Sequence, residues 1–212
     1  MISEASLYTT IAAFVSGVFG PLFVFLVRKK FLPNSTIRAL KNKEFSILIK
    51  NQNIINNALN DLQEHYKVDR IWISQFHNGG NFWPSNQSMK KLSVTFESTA
   101  LGVSTDIMQM QSIPVSFFSG VLDKMMDDES YITLTMDKLK DNALRSYWSS
   151  RGVATVCLFP IYCLDKMLVG LMCVELLDMK SSLTSQQCAE LYDEAKKLSG
   201  YIVNIAIQKS DT

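Results

Sequence analysis

The chain has 212 residues, 47% of them hydrophobic, with 21 basic against 20 acidic side chains and a formal charge of +1. That length sets one domain as the starting expectation. Charge this evenly balanced leaves no broad basic face, so no nucleic-acid partner is expected.

The hydrophobic residues are unevenly spread. From Leu7 to Val27 none of the 21 residues is charged, and 12 are Leu, Ile, Phe or Val. A helix of that length spans ~32 Å, matching a hydrocarbon core of ~30 Å. Those side chains contribute about 4–7 kcal/mol to insertion, partly offset by Gly17, Gly20, Pro21 and the hydroxyls. A cleaved signal peptide fits less well. Glu4 and no base precedes the run, and Arg28-Lys29-Lys30 follows it where a small-residue cleavage site would stand. A core helix this long and apolar is unusual in so small a domain. Residues 1–30 are therefore read as a transmembrane anchor, with Arg28, Lys29 and Lys30 as a basic flank on anionic headgroups. The lipid bilayer is the first expected partner. Basic flanks stay in the cytoplasm, which predicts a single-pass protein with its soluble domain on that side. Ala13, Gly17 and Gly20 would let two such helices approach closely.

Residues 31–66 form the predicted linker helix. Leu32-Pro33-Asn34 interrupts the span, and Ser35 or Thr36 suits the next N-cap. Leu48, Ile55 and Leu62 recur every seven residues, joined by Leu59 and Tyr66, in one apolar stripe on a helix otherwise rich in Asn and Gln.

Residues 67–212 form the soluble domain. Arg70 to Phe76 alternates as a strand, and His77-Asn78-Gly79-Gly80-Asn81 reads as a loop. Leu92 to Phe96 is a second short strand, with Glu97 leading out of it. Pro114 suits the start of a short helix, Val115 to Met126. Tyr131 to Leu134 is a further strand, and Asp137 to Ser150 a helix ended by Gly152. Val153–Cys163 and Met167–Leu177 read as an antiparallel hairpin. Both are apolar on both faces, as at the centre of a sheet covered on each side. Thr184 and Gln187 fit a capping box ahead of a last helix. Its Cys188, Leu191, Ala195, Leu198, Ile202 and Ile205 follow at spacings of three and four, which suits core packing or a seam with a partner helix. Leu48, Ile55, Leu62, Leu191, Leu198 and Ile202 are accordingly the self-association candidates in a homo-oligomer.

Few residues invite chemistry. His65 ends the linker helix, where a cation suits the dipole. His77 and Asn78, followed by Phe82 and Trp83, place polar groups beside aromatics; they line a ligand pocket or form a plain surface loop. Glu97 is a pocket carboxylate or an exposed or capping acid. Glu175, within an apolar strand, calls for a partner such as Arg145 or Arg151. P-loop, nucleophile-elbow and zinc patterns are lacking, so no enzyme activity and no cofactor are expected. Cys157, Cys163, Cys173 and Cys188 show no C-x-x-C spacing, which speaks against a metal site. They form two disulfides or, preferably, remain thiols in a reducing compartment.

The order of helix, strand, loop, strand, helical middle, strand hairpin and helix resembles a GAF domain, over roughly residues 35–207. Gly152-Val153-Ala154-Thr155-Val156-Cys157-Leu158-Phe159-Pro160-Ile161 and Leu168-Val169-Gly170-Leu171-Met172-Cys173-Val174-Glu175 are similar to the family's two central strands, and Asp69-Arg70-Ile71-Trp72-Ile73 to its first. The resemblance implies an α+β fold: an antiparallel sheet flanked by helices on one face, a pocket on the other, and first and last helices lying together and building dimers. Signatures for cyclic nucleotides and for tetrapyrrole attachment are not recognisable. The expected role is a membrane-anchored, non-catalytic sensory or interaction module that binds a small ligand or a partner protein. A second resemblance is to phage holins of the T-even type, carried by Tyr162-Cys163-Leu164-Asp165-Lys166 through Leu198-Ser199-Gly200. It implies a pore-forming lysis protein, but one whose soluble domain lies outside the cytoplasm, against the basic flank. A structural membrane scaffold, for instance of a phage, is the third expectation.

Overall fold

The computed structural model describes residues 34–81, 85–86, 88–127, 130–163, 166–179 and 181–207. The expected span at residues 1–30, with Arg28, Lys29, Lys30, Ala13, Gly17 and Gly20, lies outside them. Among the described residues no helix is long and apolar enough to cross a membrane. The chain divides into two compact units, Met1–Leu48 and Ile49–Thr212.

A helix α1 covers Asn34–Tyr66, close to the expected linker helix. Strands β1 (Arg70–Asn81), β2 (Ser88–Thr99) and β3 (Ile113–Pro114) follow. A 3-10 turn, Val115–Phe118, runs into helix α2, Ser119–Met126. Then come β4 (Ile132–Thr135), helix α3 (Asn142–Ser149), β5 (Thr155–Tyr162), β6 (Leu168–Leu176) and helix α4 (Ser185–Ile207). The strands form a six-stranded sheet in the order β3-β2-β1-β6-β5-β4. Every recorded pairing is antiparallel.

The expected central hairpin is β5–β6, and it is buried on both faces. Gly170 on β6 faces Gln75 across the β1 pairing. A Cβ there would sit 2.1 Å from the Ser74 carbonyl oxygen, so the close approach of β1 requires glycine. The capping box of α4 is formed in both directions: the Gln187 amide donates to Thr184 Oγ1 (3.2 Å) and the Thr184 amide to Gln187 Oε1 (2.9 Å).

Three elements differ from the sequence reading. The expected loop at His77–Asn81 continues β1, because its polar groups find partners across the strand. His77 Nε2 meets Ser93 Oγ at 2.8 Å, and Ser88 and Lys90 donate to Asn78 Oδ1. Strand β2 is correspondingly longer than Leu92–Phe96, and a bulge sets two of its residues against one step of β1 between Ile73 and Ser74. Helix α3 starts at Asn142 rather than Asp137. Asp141 is its N-cap, accepting from the amides of Ala143 (2.9 Å) and Leu144 (3.1 Å). The turn ahead of it carries the chain off β4.

Side chains alternate between two cores. On one face Ile71, Ile73, Cys157, Phe159, Met172 and Val174 of the sheet pack against Ile55 and Leu59 of α1 and against Cys188, Leu191, Ala195, Leu198 and Ile202 of α4. The stripe of α4 packs on its own core, and Ile55, Leu191, Leu198 and Ile202 are buried within their own domain. Leu62 is partly buried against the same core, and Leu48 is half-buried. Each large apolar side chain fully buried here contributes about 1.5–3 kcal/mol.

Candidate functional site

The other face of the sheet is where the resemblance placed a pocket. Trp72, Leu92, Val94, Val156, Leu158, Leu171 and Cys173 point to it from the strands. Phe118 from the 3-10 turn, Met125 from α2, Met110 from the preceding loop and Trp148 from α3 cover them. Trp72, Phe118, Met125 and Trp148 are fully buried, with the Phe118 and Trp148 rings 6.0 Å apart in an edge arrangement. Side chains of the protein itself thus occupy this face, and a ligand the size of a tetrapyrrole would have to displace them.

At one end of that core, charge replaces hydrocarbon. Arg70, Trp72 and Glu175 share the face by strand register: Arg70 lies opposite Glu175, and Trp72 opposite Glu97. Arg70 Nη1 donates to Glu175 Oε2, and Arg70 Nη2 to the Ser104 carbonyl (2.8 Å). Arg70 Nη2 also lies 3.0 Å from Asp106 Oδ2, and Arg70 Nε 3.3 Å from Glu97 Oε1. Arg151, just after α3, closes the network from the other side. It donates from Nε to Asp106 Oδ2 (2.8 Å) and stands 3.3 Å from Glu175 Oε1. The Trp72 indole donates to Glu175 Oε1 at 2.8 Å. Glu97 accepts from the amides of Asp106 (2.9 Å) and Ile107 (3.0 Å).

Three carboxylates thus face two guanidinium groups, and backbone amides and the indole supply the remaining donors. Burial works against the Arg151 charge, but Glu175, Tyr147 and Asp106 outweigh it and raise its pKa above the ordinary guanidinium value. The Cys173 thiol beside this network is pushed well up by burial and then by Glu175. Guanidinium groups do not exchange protons in the working pH range, and both carboxylate oxygens of Glu97 and of Glu175 accept from donors, as does Asp106 Oδ2. The arrangement is a lock. It ties the loop after β2 to the end of the sheet through Ser104, Asp106 and Ile107.

The sequence-derived site residues do not converge. His77 is exposed, and lies five positions from Trp72 along β1 on the opposite face. At ~3.3 Å per residue this is roughly 16 Å from the level of Glu97. Asn78 is exposed and bonded across the strands. Phe82 and Trp83 lie outside the described residues. Glu97 is neither exposed nor a pocket acid: it lies within β2 with its side chain 3% exposed, held by Arg70 and two amides. Glu175 has the partner it called for in Arg151, and a second in Arg70, whereas Arg145 bonds Asn142. Sequence reasoning missed Arg70 and Asp106. The signal for Arg70 was available, as a base two positions before Trp72 in an apolar strand. Asp106 comes from an irregular loop and carried none. Among the described residues no group of His, Cys, Asp and Glu is placed to hold a metal.

No protein-family model and no curated protein matches the chain. Solved structures do. The phycoerythrobilin-bound GAF domain of a cyanobacterial phytochrome is similar with a TM-score of 0.61 at 13% identity, over 82% of this chain and 96% of that one. The blue-light-absorbing form of the Thermosynechococcus elongatus PixJ GAF domain gives 0.59 at 16% identity, over 78% and 91%. The GAF domain region of a membrane-protein candidate from Geobacter sulfurreducens gives 0.55 at 13% identity, over 74% and 96%. The fold is that of a GAF domain: α+β, with one antiparallel sheet and its flanking helices.

Proposed function

We propose that this chain is a membrane-anchored, non-catalytic GAF-like interaction module that self-associates through the N-terminal half of α1. The observation that carries the reading is an apolar strip on α1 that is exposed among the described residues. Leu48 continues the stripe of Ile55 and Leu62 by one heptad, and beside it, on one side of the helix, Phe45 is 63% exposed and Ile49 39%. In sequence these residues follow the apolar stretch Leu7–Val27 and precede the first strand. Anchoring supports a second copy as the occupant. Two chains held at the same depth in one bilayer present identical helices in parallel register at high effective concentration. The Geobacter sulfurreducens neighbour is consistent with a GAF domain serving at a membrane. Crosslinking of the full chain in membranes through Phe45→Cys should trap a dimer. A monomer at every crosslinker length would refute the reading. Growth arrest with depolarisation on expression would instead favour pore formation.

A sensory role rests on a separate observation. Trp148 Nε1 and Arg151 Nη1 are buried donors without a hydrogen-bond acceptor among the described residues. One small acceptor would satisfy each of them. The neighbours that carry bilins support ligand binding as a capacity of the fold, but the filled core favours a compact ligand here. Native mass spectrometry of the full chain tests this, with a retained small molecule as the expected result.

A further inference from the structure

Cys157 lies in the middle of β5, opposite Thr133 on β4 and Val174 on β6, and its side chain joins the core beneath α4. Cys188 is in the first turn of α4. Its amide donates to the Thr184 carbonyl at 2.9 Å, so the capping box that starts the helix also turns this side chain inward. Both are buried in the same cluster, close enough for the two thiols to influence each other's ionisation. Thr133 Oγ1 lies 3.4 Å from Cys157 Sγ. Cys173 is on the opposite face of the sheet, and Cys163 is at the β5–β6 turn.

We propose that Cys157 and Cys188 are a dithiol–disulfide pair that fastens α4 to the centre of the sheet when the domain meets an oxidising environment. The oxidant is a small disulfide such as oxidised glutathione. The Cys157 thiolate attacks one glutathione sulfur, the glutathione S–S bond breaks, and the departing glutathione thiolate takes up the released proton. The Cys188 thiolate then attacks Cys157 Sγ in the mixed disulfide and expels the second glutathione. Two protein thiols lose two electrons and two protons, and one oxidised glutathione becomes two reduced ones. The roles follow from the Thr133 contact. The Thr133 hydroxyl, 3.4 Å from Cys157 Sγ, can donate to that sulfur and favour its thiolate, which makes Cys157 the first nucleophile. Because both sulfurs are buried, exchange proceeds through local opening of the first turn of α4. In a reducing compartment the pair remains as thiols.

The test uses the full chain in mild detergent, equilibrated in glutathione redox buffers at a urea concentration below its unfolding midpoint. Samples are acid-quenched and mapped as non-reduced peptides. The expected result is a peptide pair joining residues 157 and 188. A thermal midpoint higher by about 5–10 °C should accompany it and be reversed by dithiothreitol. Cys163→Ser should keep both signals. Cys188→Ala, which retains an apolar side chain in the core, should lose both. A bridge to Cys163 or Cys173, no bridge at all, or a bridge that lowers the midpoint would overturn the proposal.

Discussion

Arg70 and Glu175 stand directly opposite each other on β1 and β6 and form an ion pair within the sheet, both side chains almost wholly out of solvent. A charge pair in such a place survives only when its remaining donors and acceptors are also met. Here Asp106, Arg151, Trp72 and the Ser104 carbonyl meet most of them, while Arg70 Nε has only the 3.3 Å approach of Glu97 and Arg151 Nη1 has no hydrogen-bond acceptor among the described residues. Truncating one partner strands the others, so Arg70→Met should cost about 3–5 kcal/mol in thermal or denaturant unfolding. Glu175→Gln keeps the shape and an acceptor for Trp72, and should cost less. A double-mutant cycle on the two positions should show coupling well above the ~0.3–0.5 kcal/mol error of additivity.

The filled core on the same face makes a second prediction. Trp148→Ala should destabilise the domain by about 3–5 kcal/mol, because a rigid sheet on one side and Phe118 on the other prevent collapse of the space. The native chain should leave the visible spectrum of added biliverdin unchanged. A bilin adduct in the unmodified protein would show that this core opens.

Much of the fold was legible because the strongest patterns were the ones tertiary structure kept. The β5–β6 hairpin carries β-branched and aromatic residues on both faces, which only a doubly covered central strand pair can bury. The Thr184–Gln187 box and the stripe of α4 marked a helix with a defined start. The site was less legible. Arg70 and Glu97 are separated in sequence and meet only because β1 pairs with β2 in a particular register, and a bulge opposite Ile73–Ser74 shifts that register by one residue. The stretch His77–Asn81 has the composition of a turn, and cross-strand hydrogen bonds override it. The apolar stripe of α1 was read as one feature. Ile55 and Leu59 of that stripe are spent on the core, while Phe45 and Ile49, beside its first member Leu48 and not part of the stripe, are left exposed.

That division predicts separable phenotypes. Phe45→Glu combined with Ile49→Glu should abolish crosslinked dimers of the full chain in membranes. The unfolding midpoint of the sheet domain should change by no more than surface substitutions usually allow, within about 0.5 kcal/mol. Leu191→Ala should do the reverse, costing about 2–5 kcal/mol of stability through a core cavity. Equal effects on both readouts from both variants would contradict the division.

Alkaline pH offers a further check. The Tyr147 hydroxyl is pushed up to about 12, first by burial, with Arg151 opposing and Glu175 adding. Tyr66 is also raised to about 12, by burial and by its 3.0 Å hydrogen bond to Glu190. An unfolded tyrosine ionises near ~10. The folded state therefore holds these protons more tightly. The stability this contributes is complete below about pH 10 and is lost as the pH rises toward 12. Tyr147→Phe should make the decline between those values shallower in thermal melts taken at stepped pH, and Tyr66→Phe should do so independently. An unchanged slope in both variants would contradict the assignment.

Tethering to the bilayer, with the folded domain on the side of Arg28-Lys29-Lys30, is the claim on which the proposed role turns. It is tested by adding a C-terminal epitope to the full chain in bacteria, extracting membranes with alkaline carbonate and treating intact spheroplasts with protease. The protein should stay in the membrane pellet, and the epitope should survive until the spheroplasts are lysed. Release by carbonate, or digestion of the epitope in intact spheroplasts, would contradict it.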